Sequence, residues 1–200
     1  MIIAGHNARF DAQDELLPWT SWQSALELEM QFYRRCPMEH GYPLFISESF
    51  LDENWVPYPD RSDTIPAMQN GMGIISYLKF RGLCGKLDSW FLDIARLMGD
   101  YLIDVAQTPD SGAYPGFSRS TGRRAQYPHA ADCGCQGDRP FEIEPDKGGI
   151  AGYALAQLFN ATGERRYLAQ ALHNARVLAA NQREGDASRS PWPFRADYRR

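Results

Sequence analysis

The chain has 200 residues, 44% of them hydrophobic and 12% aromatic, enough to bury a sizeable core in one or two domains. Formal net charge is -4 and no long basic run occurs, which argues against a nucleic-acid partner. No apolar run approaches the ~20 residues of a membrane-spanning helix. The start MIIAGHNARFDAQDE lacks the charged and then apolar regions of a signal peptide, so a cytoplasmic location is expected.

The first expected element is an amphipathic helix over 19–36, with Trp22, Leu26, Met30 and Tyr33 on one stripe. Cys36 and Cys84 fall inside helical patterns and read as core thiols. Four scattered cysteines are too few for a disulfide scaffold. GYPLF at 41–45 follows as a proline and aromatic loop, and PYPDRSD at 57–63 reads as a turn carrying Asp60 and Asp63. A helical hairpin is expected over about 71–106, beginning GMGIISYLKF. The loop after it contains TPDSG, with Asp110, and AYPGF at 113–117.

HAADCGC at 129–135 holds His129, Asp132, Cys133 and Cys135, residue types that ligate zinc. The usual Cys-x-x-Cys spacing and a second ligand pair are both missing. A plain loop is the simpler reading, and no metal or cofactor is expected.

A second hairpin is expected over 147–182. Its first helix, 148–160, is apolar on most sides through Ile150, Ala151, Ala154, Leu155, Leu158 and Phe159, the mark of a buried helix. NATGERR breaks it, with Gly163 suited to a left-handed C-terminal position. The helix at 165–182 is amphipathic: Leu168, Ala171, Leu172, Ala175, Leu178 and Ala179 inward, Gln170, His173, Asn174 and Arg176 outward.

The two hairpins correspond without a gap. Tyr77 and Tyr153 lie 76 residues apart, and the same offset pairs Gly73 with Gly149, Phe91 with Tyr167, Ala95 with Ala171, Leu102 with Leu178, Pro115 with Pro191 and Arg119 with Arg195. GYPLF, AYPGF and SPWPF mark equivalent loops, the first in a weaker third copy. Loops of about 30–40 residues join the hairpins, and loops that long are uncommon unless they carry function. The expectation is one all-α domain over 1–200, built of stacked hairpins with buried helices inside, and incomplete in this chain.

LAQLFNATGERRYLAQALHNARVLAANQ resembles the inner-helix, TG-turn, outer-helix hairpin of the (α/α)6-toroid carbohydrate enzymes, the six-hairpin glycosidases. Unsaturated glucuronyl hydrolases belong to that group, and sugar 2-epimerases and glucuronyl C5-epimerases share the toroid. AMQNGMGIISYL at 67–78 is similar to an inner-helix opening in the C5-epimerase group. The resemblance covers roughly 65–200. It implies a carbohydrate partner and a cavity lined by inner-helix starts and long loops.

The candidate chemistry gathers before the second inner helix, in EIEPDK at 142–147. Glycoside hydrolysis uses two carboxylates. Glu142, Glu144 and Asp146 alternate, so an extended lead-in sets them on one face, where mutual repulsion favours a protonated acid. Asp146 corresponds to Asn70 and reads first as a helix cap. Glu144 corresponds to Met68 and Glu142 to Pro66, so the hairpin itself requires neither acid. A solvated acidic loop is the plainer alternative.

Lys147 suits a substrate carboxylate, or plain solvent at a first helical turn. The loops combine Tyr114, Phe117, Arg119, Arg123, Arg124 and Tyr127, then Trp192, Phe194 and Arg195. Rings stack on sugars and arginine forks hold carboxylates, which suits a uronic-acid-containing glycan. Repetition of Pro115/Pro191 and Arg119/Arg195 favours loop packing instead. The expected function is glycoside hydrolysis by a six-hairpin type of enzyme. Sugar or uronyl epimerisation is one alternative, and a non-catalytic glycan- or protein-binding repeat is another. No glycine-rich phosphate loop follows a strand pattern.

Overall fold

A computed structural model describes residues 66–83, 89–120 and 141–200, and the backbone of 38–39 and 42–43. These residues fall in the second of two compact units, Pro37–Arg200. Expectations for the helix 19–36, Cys36, Asp60, Asp63, Cys84, Arg123, Arg124, Tyr127 and the 129–135 motif lie outside the described residues.

The described part is mostly helical. It comprises α1 (Pro66–Leu83), α2 (Trp90–Asp104), α3 (Pro145–Thr162) and α4 (Arg165–Ala180). Short antiparallel ribbons pair β1 (Met38–Glu39) with β2 (Tyr42–Pro43), and β3 (Glu142–Ile143) with β4 (Ala196–Asp197). α1 packs on α2 and α3 packs on α4, and α1 also packs on α3, so the two hairpins lie side by side.

α2 and α3 bury apolar stripes much as their period predicts, whereas α4 buries Tyr167, Ala171, Asn174 and Val177 and leaves Leu172, Ala175 and Ala179, expected inward, exposed. Phe91, Ile94, Ala95, Met98, Tyr101 and Leu102 form the hidden stripe of α2. Ala151, Ala154, Leu155 and Leu158 do the same in α3 and are fully buried. In the first hairpin Tyr77 meets Trp90 edge-on at 5.6 Å, and Phe80 meets Phe91 at 4.8 Å, both favourable ring geometries. The α3–α4 turn closes as expected: Gly163 has φ 75° and its N–H bonds Phe159 O at 2.7 Å.

Gly99 lets the hairpins meet closely, since a Cβ there would lie 2.5 Å from Leu158 Cδ2 and 3.0 Å from the Tyr167 ring. Polar ties surround this contact. Tyr167 Oη donates to Asp100 at 2.9 Å, Arg96 Nε to Glu164 at 2.9 Å, and Arg166 Nη2 to Asp104 at 2.7 Å.

Three expectations need correction. Asp146 does not cap α3: the helix begins at Pro145, whose ring presets a helical φ, so Glu144 becomes the N-cap and Asp146 an exposed first-turn residue. Its counterpart Asn70 lies within α1 and is 2% exposed. The two inner helices begin 145 − 66 = 79 residues apart, against 165 − 90 = 75 for the outer pair, so the sequence correspondence slips along the inner helices. Tyr77 is accordingly 2% exposed and Tyr153 58%.

Third, the polar side of α4 does not all face outward. Asn174 is 1% exposed; its Nδ2 donates to Ser118 Oγ at 2.8 Å and to Gly148 O at 3.3 Å. Gln170 donates to Gly116 O at 2.8 Å, and His173 Nε2 lies 2.7 Å from Pro115 O. The 113–118 loop folds onto that side of α4 and needs partners for its backbone there.

Candidate functional site

The loop after α2 reaches the starts of both inner helices. Arg119 O accepts from Ala67 N at 3.0 Å, and the next residue, Ser120, accepts at Oγ from Glu144 N at 2.7 Å. The first turns of α1 and α3 are thereby tied to consecutive residues, and the β3–β4 ribbon continues from the start of α3.

Tyr114 and Phe117 do not serve as sugar platforms in this structure. They are 3% and 0% exposed and pack with Ile143, Val177 and Tyr198 in the core. Thr108 organises their turn, donating from Oγ1 to Tyr114 O and accepting from Phe117 N at 2.8 Å. Gly148 is small because the Phe117 ring would lie 2.1 Å from a Cβ there. Trp192 also has a packing role, its Nε1 donating to Leu178 O at 3.0 Å.

Glu144 is buried, 2% exposed, at the N-terminus of α3. Lys147 Nζ pairs with its Oε2, and Arg195 Nε donates to its Oε1 at 3.4 Å. The helix dipole adds favourable potential for a carboxylate at this end. Lys147 and Arg195, expected at a substrate carboxylate, are thus gathered around a carboxylate of the chain itself. Enclosed between two cations and nearly out of solvent, this carboxylate is well suited to a structural role. Glu144, expected as the reacting acid, is placed here as the centre of an internal ion cluster.

The ribbon assembles a different pair. Glu142 stands directly opposite Asp197, and Ile143 opposite Ala196. Direct partners share a face. Ile143 and Ala196 turn to the core with Tyr198, which leaves Glu142 and Asp197 on the outer face, two residues along each strand from the Glu144–Arg195 contact. Arg199 grips Asp197 with two side-chain bonds, Nε to Oδ1 at 2.9 Å and Nη2 to Oδ2 at 2.6 Å. Those bonds, with the Arg199 backbone N–H, lower the Asp197 pKa to about 2.

Two guanidinium–ring contacts flank the ribbon. Arg199 lies 4.0 Å from the centre of the Phe141 ring, and Arg195 lies 5.3 Å from that of Phe194. Phe141 is 44% exposed and Phe194 69%. Phe141 also has φ 77°, a left-handed conformation unusual for an aromatic residue.

Sequence reasoning missed Asp197. Its signal was the alternation Arg195-x-Asp197-x-Arg199 in RADYR, which puts three charges on one side of an extended segment. Asp110, an alternative candidate acid or a plain turn residue by sequence, is exposed in a bend after α2. A shallow depression of about 680 Å³ beyond α4, lined by Gln182, Arg183, Glu184, Asp186 and Arg189 among others, contains none of the ribbon residues. Among the described residues no group of three or more His, Cys, Asp or Glu side chains is arranged to hold a metal. Among them, too, no helix is long and apolar enough to cross a membrane.

No protein-family model matches the sequence, and no curated protein or solved structure matches it.

Proposed function

We propose that the chain belongs to a carbohydrate-active enzyme of the six-hairpin kind, a hydrolase of uronic-acid-containing glycans, with Glu142 and Asp197 as the reacting carboxylates. The observation that carries this is their direct opposition across β3–β4. Direct cross-strand partners have Cβ atoms about 4.5–5.5 Å apart, close enough for their two carboxyl groups to flank one glycosidic bond.

The roles divide between the two acids. Arg199 keeps Asp197 ionised, ready to attack the anomeric carbon. Glu142 donates its proton to the departing oxygen, then takes one from the water that releases the sugar from Asp197. The exposed Phe141 and Phe194 rings offer faces for sugar C–H groups beside these acids. Arg199, at the exposed edge of the ribbon, supplies positive potential near a substrate carboxylate.

The test is a panel of fluorogenic glycosides and uronides, with product analysis, on the chain and on Glu142→Gln and Asp197→Asn. Loss of an acid–base or nucleophilic group is expected to cut kcat by at least ~100-fold. Turnover unchanged in both variants would remove this pair from the mechanism. Exchange of the C5 hydrogen with deuterated solvent, without bond cleavage, would instead indicate epimerisation. The two exposed ring–arginine pairs also favour a second reading, a glycan-binding module without chemistry; retention of glycans with no product at all would select it.

A further inference from the structure

We propose that Glu144 is a positioning residue: through Arg195 it locks the β3–β4 register and so holds Glu142 opposite Asp197. This rests on the reading of those two acids as the reacting pair.

The ribbon needs such a lock. Each strand has two residues, too few for ladder bonds alone to specify the pairing. One of its two rungs sets a pair of carboxylates against each other, which favours separation. On the core side, Ile143, Ala196 and Tyr198 hold the strands by packing. Beyond the Ile143–Ala196 rung, Arg195 bridges to Glu144, two residues along each strand from the two acids. Glu144 is in turn anchored three ways: by Lys147, by Ser120 through its backbone N–H, and by its place at the N-terminus of α3. Arg195 therefore fastens a mobile kind of element, a two-residue strand, to a fixed one. A slip of one residue would carry Asp197 to the opposite face from Glu142.

The test uses Arg195→Gln in the full chain, which leaves Glu144 paired with Lys147. Two readouts are compared. The Tyr198 amide, bonded to Phe141 O at 3.0 Å, reports on the ribbon by hydrogen exchange. The split between kcat and KM on whichever fluorogenic glycoside is turned over reports on alignment. Tyr198 exchange is expected to quicken ~10-fold, since local opening sets its rate. On the active glycoside kcat is expected to fall ~10-fold at nearly constant KM, with partial recovery in Arg195→Lys. Glu144→Gln is expected to reproduce both effects, and Glu144→Asp to recover some activity.

Tyr198 exchange left unchanged in both Arg195→Gln and Glu144→Gln would overturn the lock. Faster exchange with unaltered kcat would overturn the positioning role. If the chain turns over no glycoside while both variants speed exchange, the lock is supported and the proposed hydrolysis is what fails.

Discussion

Glu144 and Tyr167 show how much a residue's meaning depends on what the fold places beside it. As letters, Glu144 is a surplus acid before a helix and Tyr167 an aromatic inside one. In the structure Glu144 is the centre of an ion triad, and Tyr167 is a fully buried ring whose hydroxyl donates to Asp100 across the hairpin interface. Burial, and then the bond to Asp100, raises the Tyr167 pKa above its usual 10.0.

The sign of the stability effect follows. A raised folded pKa gives stability that is whole below pH ~10 and is lost as pH climbs toward the folded value. Denaturation midpoints measured from pH 8 to 11 are expected to fall above pH ~10. Tyr167→Phe keeps the ring but has no proton to lose, so its decline over that window is expected to be shallower. Equal slopes in the two proteins would assign the alkaline loss elsewhere. Asp197 works oppositely: its lowered pKa contributes above pH 3.8, a contribution lost as pH falls through about 2.

At the scale of elements, the hairpin turn and the ribbon entrance contrast. Gly163 takes φ 75° at the end of α3, a conformation the sequence anticipates with glycine. Gly163→Ala is expected to cost about 1 kcal/mol, since nothing crowds a Cβ there and only the backbone conformation resists. Phe141 adopts nearly the same φ without that freedom. Phe141→Gly relieves the strain but removes the contacts with Arg199 and Tyr198. Thermal denaturation is expected to show Gly163→Ala destabilised, with the far-UV helical signal unchanged. A Gly163→Ala protein as stable as the parent would show that the turn accommodates a left-handed alanine without loss.

At the scale of the described unit, the two hairpins meet along α1 and α3 and at a close approach of Leu158 to Gly99 that is ringed with ion pairs. Leu158 packs on Gly99 beneath Tyr167 and is fully buried. Arg96–Glu164 and Arg166–Asp104 are part-exposed and contribute little individually. The apolar contact should therefore dominate. Leu158→Ala is expected to cost about 2–5 kcal/mol by urea denaturation, and Arg96→Ala under about 1 kcal/mol. A larger loss from Arg96→Ala than from Leu158→Ala would reverse that ranking.

The sequence alone determined the four described helices, the buried stripe of α3 and the turn at Gly163, because helical periodicity and glycine chemistry are local properties of the chain; the buried side of α4 it misplaced, since Leu172, Ala175 and Ala179 are exposed and Asn174 is buried. It also singled out 142–147 as an acidic lead-in to an inner helix, although by a 76-residue correspondence that the inner helices do not keep. What those acids touch was not legible. Arg195 reaches Glu144 across 51 residues, and Asp197 meets Glu142 only because a two-residue strand folds back onto the start of α3. Tyr114 and Phe117 looked like loop aromatics until the 113–118 segment was seen held by Gln170, His173 and Asn174. Hydrophobic pattern records which side of an element is apolar. Only the tertiary structure decides which polar groups are drawn inside to satisfy a loop, and which charges end up facing each other.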